Sequence, residues 1–208
     1  MRVPSLRYGG PLLAVAAVLC LCGAAVLAGL AAASPRHRVR VRARTASGHP
    51  CKWENISPDA ANLRFVERST LCLVNRLRAE YGLARVRPNF ALTKVARRQA
   101  RTMVRSDYFG DVGPTGQTPI SLVAGTRYSI NAAGGLSVGQ NIAWATPDRD
   151  TPARIVAAWS ASLPHREIMM TGEYRDAGVG VIPYLPGVTH SGPLGGTYVL
   201  ELGARHAS

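Results

Sequence analysis

Past residue 50, the spacing of apolar residues predicts a chain that begins with helices. A first helix is expected over about residues 59–81, where apolar side chains recur every three or four positions. Ser57 is a suitable N-cap, with Pro58 at the first helical position. Gly82 is a suitable residue for the left-handed position just after the helix. The pattern therefore predicts a long amphipathic helix with a defined start and end.

Two further helices and a loop follow in the same pattern. Asn89 is the expected N-cap of a second helix over about residues 90–106. Thr118 precedes Pro119 at the start of a short third helix that runs to Val123. Residues 124–138 are rich in glycine and are expected to form a loop.

The fourth helix starts at Thr151 and Pro152 and carries Trp159 on its apolar face. Pro164 disfavours helical backbone at Leu163, so this helix is expected to end there. His165 would then lie in a turn after a buried helix. Such a histidine is a candidate for chemistry or ligand contact. The alternative is a histidine that caps the helix C-terminus by bonding a backbone carbonyl.

Two strands are expected near the C-terminus, over residues 178–184 and 196–203, with a connection rich in proline and glycine between them. Helices followed by strands favour an α+β domain in which helices pack on an antiparallel sheet.

The first 33 residues have the composition of a targeting segment. Arg2 and Arg7 precede an almost wholly apolar run from Pro11 to Ala33. Three alanines before Ser34 fit the small-residue rule for signal-peptide cleavage. The run is also long enough to cross a bilayer as an uncleaved anchor helix. Both interpretations predict export from the cytoplasm, either to the extracellular space or to the cell envelope.

Residues 34–50 alternate arginine with small residues and are expected to form a disordered basic linker. The linker could lie on an anionic membrane or on anionic wall polymer, or it could be a solvated spacer. The whole chain has a formal charge of +13, but seven of its basic residues lie in the first 44 positions. The remainder has 18 basic against 12 acidic residues, so no nucleic-acid partner is expected.

Cys51 and Cys72 are the cysteines of the expected folded domain, residues 51–208. In an exported chain they predict one disulfide bond. The alternative is two unrelated reduced thiols.

Several motifs over about residues 70–203 resemble the bacterial single-domain form of the CAP superfamily, also called SCP. The name joins cysteine-rich secretory proteins, antigen 5 and pathogenesis-related 1 proteins. The segment that begins Tyr108-Phe109 resembles the family's Tyr-Phe-Ser-His motif, with Asp111 at the histidine. Gly139-Gln140-Asn141-Ile142-Ala143 resembles Gly-Glu-Asn-Ile-Ala. The segment from Ala158-Trp159 to His165-Arg166 resembles Ala-Trp-x-x-Ser-Pro-Gly-His-Arg.

This resemblance implies a three-layer α-β-α sandwich with a central antiparallel sheet. It also implies a cleft lined by two histidines and two acidic residues, which bind a divalent metal in some members. His165 keeps the second histidine, whereas Asp111 and Gln140 replace the first histidine and one glutamate. No Asp or Glu occurs from Val112 to Pro147, so the other glutamate has no evident counterpart.

The expected cleft is therefore lined by Asp111, Gln140, Asn141 and His165. Zinc requires three or four nitrogen, sulfur or carboxylate ligands, so no tight zinc site and no cofactor are expected, although a divalent metal is possible. Asp111 and His165 could share a hydrogen bond. Asn141 is expected to bond local backbone and fix the loop after Gly139. Trp144 and Trp159 are expected in the core.

Together these features favour a secreted or envelope-anchored CAP-domain protein that binds or supports rather than catalyses. It would act as a monomer on an unknown peptide, glycan or lipid. The alternative is an envelope hydrolase that cleaves peptide or wall polymer through His165 and Asp111, the two candidate catalytic residues.

Overall fold

The structure is a computed structural model that describes residues 50–130, 132–187 and 194–207. The predictions made for residues 1–33 and for nearly all of residues 34–50 lie outside the described residues. Within the described ranges, no helix is both long enough and apolar enough to cross a membrane.

The described residues include five α-helices, four strands and one 3-10 turn. In chain order they are α1 (Leu63–Glu80), β1 (Arg87–Pro88), α2 (Phe90–Arg105), α3 (Pro119–Ala124), the 3-10 turn (Arg127–Ser129), β2 (Leu136–Ala145), α4 (Pro152–Ala161), α5 (Leu163–Met170), β3 (Asp176–Ile182) and β4 (Gly196–Arg205).

The four strands form one mixed sheet in the order β1-β3-β4-β2. β4 pairs antiparallel with both β3 and β2. The two residues of β1 pair parallel with the start of β3. The antiparallel pairing expected of the two C-terminal strands, β3 and β4, is thus confirmed, whereas β1 and β2 were not predicted as strands. β2 lies at an edge of the sheet, which matters for the site described below.

Helices cover both faces of the sheet, which confirms the three-layer α-β-α architecture. Alternate residues of β3 and β4, such as Val179 and Leu200, pack in one core with α1, α4 and α5. On the other face, Val199 packs with α2. A neighbouring cluster joins α2 to α3 and to Tyr128. The period-two alternation of the strands sends their apolar side chains into both layers.

The backbone of α2 lies directly on β3 because two glycines leave room for it. A Cβ atom at Gly178 would lie 2.1 Å from the amide nitrogen of Thr93, and a Cβ at Gly180 would lie 2.2 Å from that of Arg97. These distances are shorter than any van der Waals contact, so a side chain at either position would push the helix away.

The predicted start of α1 is wrong, whereas its predicted end is confirmed. The helix begins at Leu63, because residues 59–62 form a turn in which the Asp59 carboxylate accepts the amides of Ala61 and Asn62. Ser57 is not the N-cap, since its hydroxyl donates to Asp150 Oδ1 at 2.6 Å. Gly82 follows the helix with φ of 70°.

Arg78 is a fully buried residue that ties α1 to two distant segments. Its guanidinium donates to the carbonyls of Ala84, Met169 and Thr171, the last two more than 90 residues away in sequence. Burial and the charge of Arg175 lower the pKa of this group. Backbone oxygens rather than a carboxylate therefore satisfy the buried cation.

The structure corrects the predicted end of α4 and the position of His165. Ser162 is extended, with ψ of 120°, and separates α4 from α5. α5 then begins at Leu163 with Pro164 in its first turn, where the missing N–H is not needed. Proline therefore starts a helix here instead of ending one. His165 lies in the first turn of α5, so the alternative of a C-terminal cap is wrong.

The structure contradicts two further expectations, the loop at residues 136–138 and the burial of Trp144, and it confirms the burial of Trp159. Residues 136–138 belong to this strand rather than to the predicted loop. Trp159 is buried as expected, and its Nε1 donates to the carbonyl of Ile142 at 3.0 Å. Trp144, however, is half exposed, because it lies on the edge strand.

The predicted disulfide between Cys51 and Cys72 is confirmed, with a Cα–Cα distance of 5.8 Å. It joins the segment before α1 to the middle of that helix. The same segment is fixed by the Glu54 carbonyl, which accepts the amide of Ala153 at the start of α4.

Candidate functional site

The four residues predicted to line a cleft come from three separate parts of the fold. Asp111 lies in the connection between α2 and α3, Gln140 and Asn141 lie on β2, and His165 lies on α5. Because Gln140 and Asn141 are consecutive in a strand, their side chains point to opposite faces of the sheet. The predicted set therefore surrounds the open edge of β2, with one amide on each side.

Asn141 positions the backbone of His165. Its side chain is fully buried, and Nδ2 donates to the carbonyl of His165 at 2.9 Å. The expected bond to local backbone is thus replaced by one that spans 24 residues. Its Oδ1 has no hydrogen-bond partner within the described part of the chain. Asn141 holds the first turn of α5 against the edge strand.

The imidazole of His165 is half-buried and its Nδ1 lies 2.7 Å from the hydroxyl oxygen of Ser162. The expected hydrogen bond to Asp111 is wrong, since the described structure gives these side chains a charge interaction and no direct bond. Partial desolvation raises the pKa of the Asp111 carboxyl, and the charge of His165 opposes that rise. The two groups are neighbours in one electrostatic field rather than a bonded pair.

A carboxyl group that the sequence reasoning missed lies beside Gln140. Glu201 stands opposite Gln140 in the pairing of β4 with β2, and Nε2 of Gln140 donates to Oε1 of Glu201. Glu201 is fully buried. Desolvation raises its pKa to about 8, the bond from Gln140 opposes the rise, and the charge of Asp111 adds to it. The raised pKa favours the uncharged form of Glu201 at neutral pH.

Glu201 restores to this position the acid that Gln140 lacks in the Gly-Glu-Asn motif, but from the neighbouring strand. Within this pair, Gln140 Oε1, an acceptor, and Glu201 Oε2, a donor when protonated, have no hydrogen-bond partner among the described residues. The sequence does contain an indication of Glu201 as a site residue. It is the one acidic residue in the apolar run from Tyr198 to Leu202, and an acid in a buried strand needs a hydrogen-bond partner.

The donor groups at this edge do not fit the divalent metal that the resemblance implies for some members. Across residues 50–130, 132–187 and 194–207, no three His, Cys, Asp or Glu side chains are grouped closely enough to hold a metal ion. The carboxyl of Glu201 has a raised pKa and is bonded to an amide, and Asp111 and His165 supply two ligands at most. The expectation of no tight zinc site stays a prediction until metal content is measured.

The three-layer sandwich, the disulfide-linked first helix and the histidine beside an edge strand define a protein of the CAP class. The chain belongs to the cysteine-rich secretory protein (CAP) family, whose model matches residues 71–190. The uncharacterized protein YkwD of Bacillus subtilis strain 168 is 28% identical over 141 residues, which cover 66% of this chain. The chain spans about half the length of that curated relative, 52%.

Two solved structures share the fold at low sequence identity. An outer surface protein from Borrelia burgdorferi is 18% identical, with a TM-score of 0.53 that covers 65% of this chain and 90% of that one. An extracellular protein containing an SCP domain from Bacillus anthracis is 17% identical, with a TM-score of 0.51 that covers 70% of this chain and 43% of that one. These two likenesses concern the fold alone.

Proposed function

We propose that this chain is an exported CAP-domain protein of the cell envelope that binds a ligand or partner without catalysing a reaction. The observation that carries the proposal is the buried Gln140–Glu201 pair. A general acid or base must reach the substrate, and a carboxyl that is fully buried and already bonded to an amide does not. At the edge of β2, hydrogen bonds within the protein engage the side chains of Gln140, Asn141 and Glu201.

The other polar groups of the cleft support the same proposal. Nδ1 of His165 is engaged by Ser162, and its backbone is fixed by Asn141. Both cysteines of the domain are joined in the disulfide, so neither supplies a nucleophile. What remains accessible is Asp111, which is exposed, and part of the imidazole. Such a pair suits hydrogen bonding to a peptide, a glycan or a lipid headgroup.

Three features support a location outside the cytoplasm. A disulfide is typical of exported proteins. Two structures of the same fold are described as an outer surface protein and an extracellular protein. The apolar N-terminal segment predicts export, and the basic segment that follows would hold the domain near an anionic membrane or wall surface. Cell fractionation of the tagged chain tests this location, and recovery in the cytoplasm would contradict it.

The binding role is tested by capture with the full chain in neutral detergent, using wall fragments, secreted peptides and lipid extract. Mass spectrometry identifies what co-elutes. The double variant Asp111→Asn with His165→Gln should lose the captured molecule. Asp107→Asn, which changes an exposed aspartate in the same connection, is the matched control and should retain it. Equal capture by all three proteins would show that binding does not use the cleft.

An envelope hydrolase is the second candidate, favoured by the charge interaction of Asp111 with His165 and by the raised pKa of Asp111. On this alternative the wild type cleaves a peptide or wall polymer, and Asp111→Asn and His165→Ala each abolish cleavage. Restoring the family residues with Asp111→His and Gln140→Glu should then increase divalent-metal affinity. Cleavage by wild type would overturn the binding role, whereas its absence with and without metal would leave that role standing.

A further inference from the structure

A basic groove outside the cleft has the chemistry of a polymer-binding site. We propose that the groove between α2 and the 3-10 turn binds a linear anionic glycan, meaning a sugar or polyol polymer with a carboxylate or phosphodiester in each repeat. The site itself is independent of the cleft, while the choice of an envelope polymer rests on the proposed location.

The groove has a volume of about 920 Å³ and lies between α2, over Phe90 to Arg101, and the turn around Arg127. Six cationic side chains and no acidic one line it: Lys94, Arg97, Arg98, Arg101, Arg127 and Arg205. Cations on both walls of a concave surface create a field that concentrates anions.

Two of the six cations are already paired with carboxylates of the protein. Arg97 donates to Glu67 at 2.8 Å, and Nη2 of Arg205 lies 3.6 Å from Asp176. The other four are exposed, namely Lys94, Arg98, Arg101 and Arg127. In the part of the chain that the structure describes, no carboxylate lies within 4.0 Å of any of these four. Their charge is thus available to a ligand.

The spacing of the available cations suits a chain of repeated anions. Lys94, Arg98 and Arg101 stand four and three residues apart, which puts them in one row about 10 Å long on α2. Arg127 faces the groove from the other wall. Guanidinium groups bind both carboxylate and phosphate in a forked geometry, so each arginine can take one anionic group of the polymer.

The shape and the aromatic content of the groove favour a glycan over a bilayer or a single-stranded nucleic acid. A bilayer is flat and cannot contact both walls of a groove. Single strands bind on a series of aromatic rings that stack successive bases. Of the aromatic residues that line this groove, Phe90 is 77% exposed, whereas Tyr128 is buried beneath Arg205. One exposed ring suffices to pack on the apolar face of a single sugar.

The test measures affinity of the full chain, in neutral detergent, for polygalacturonate and for poly(glycerol phosphate). The triple variant Lys94→Gln, Arg98→Gln and Arg101→Gln should bind the preferred polymer roughly tenfold more weakly at 0.1 M NaCl. Its affinity should also depend less steeply on salt, because fewer counterions are released. The polymer that binds more tightly identifies carboxylate or phosphodiester as the anion.

The matched control changes three exposed arginines elsewhere on the fold, Arg68→Gln, Arg85→Gln and Arg154→Gln. It lowers the net charge by the same amount and should change affinity less than twofold. The basic segment before residue 50 is present in every protein, so its contribution cancels. Equal losses in both triple variants would overturn the groove, as would tighter binding of single-stranded DNA or anionic phosphatidylglycerol vesicles. Thermal unfolding confirms that all variants are folded.

A second variant tests the sugar contact separately from charge. Phe90→Ala should weaken binding of polygalacturonate about threefold and leave binding of inorganic polyphosphate unchanged, because polyphosphate has no sugar ring to pack on the phenyl face. Equal loss for both probes would contradict the glycan and leave a general anion groove.

Discussion

Glu201 is an acidic residue that is buried because the strands and helices around it are packed, although glutamate ordinarily lies at the surface. Its carboxyl is buried between strands and layers, yet a single amide from Gln140 satisfies one of its oxygens. An ionised carboxylate would be costly there, so the group keeps its proton. The edge of β2 therefore has a neutral pair, Gln140 and Glu201, instead of a charged carboxylate.

The raised pKa of Glu201 predicts a pH-dependent stability with a definite sign. The folded protein holds the proton up to about pH 8, whereas the unfolded chain releases it near the ordinary glutamate pKa of 4.5. The folded state thus binds one more proton between these values, and the free energy of unfolding falls as the pH rises through them. The loss from this group is at most about 5 kcal/mol.

The variant Glu201→Gln should therefore flatten the pH profile. Its stability should resemble that of the wild type at pH 5 and exceed it at pH 9, because glutamine keeps the shape and never ionises. Urea unfolding across this pH range makes the measurement. Glu80→Gln, at the exposed end of α1, is the control and should retain the wild-type slope. A Glu201→Gln profile parallel to that of the wild type would contradict a buried neutral acid.

At the scale of elements, the contact of α2 with β3 depends on the absence of side chains. Gly180 is placed so that a methyl group would meet the backbone of α2 at Ala96 and Arg97, which no rotamer change can relieve. The predicted sequence pattern contained the Gly-Val-Gly segment but gave no reason for its glycines. The reason is a close approach of backbones, which only the packed structure displays.

Gly180→Ala should lower the free energy of unfolding by about 3 kcal/mol or more, because α2 must move away from the sheet. Gly172→Ala is the matched control, since a Cβ there would first meet Leu83 at 3.6 Å, an ordinary contact. Chemical denaturation of the two variants measures the difference. Similar stabilities would show that α2 shifts without cost.

The break between α4 and α5 is the other lesson at this scale. Proline after a helical pattern indicated a helix end, and it does lie near one, but the same residue begins the next helix. Local rules allow a proline either just after a helix or in the first turn of the next one. Here the extended backbone of Ser162 ends α4, and Pro164 lies in the first turn of α5, which packs against β2. His165 consequently faces the cleft from a helix rather than from a loop.

At the scale of the whole molecule, the disulfide fixes the segment before α1 to the body of the domain. Replacing Cys51 and Cys72 by alanine should lower the free energy of unfolding by about 3 kcal/mol, because the crosslink restricts the unfolded chain over a separation of 21 residues. Urea unfolding with and without reductant tests this. Reductant should destabilise the wild type and leave the double variant unchanged, and an equal response of both would contradict the prediction.

The sequence by itself determined the order and type of most elements, because caps, proline and glycine act on neighbouring residues. Asn89 caps α2, Thr118 starts α3 and Gly82 ends α1 in the structure as predicted. Motif order along the chain also indicated the family, and the resemblance to that family implied the three layers, while export and two cysteines in the domain predicted the disulfide.

Only the tertiary structure decided which polar groups meet. β2 was missed because its polar and small residues lack a strand-like pattern until β4 pairs with them. That pairing puts Glu201 beside Gln140, 61 residues away, and packing sets Arg127 across a groove from α2. Contacts between residues distant in sequence depend on how the layers pack, and the local sequence pattern does not report that packing.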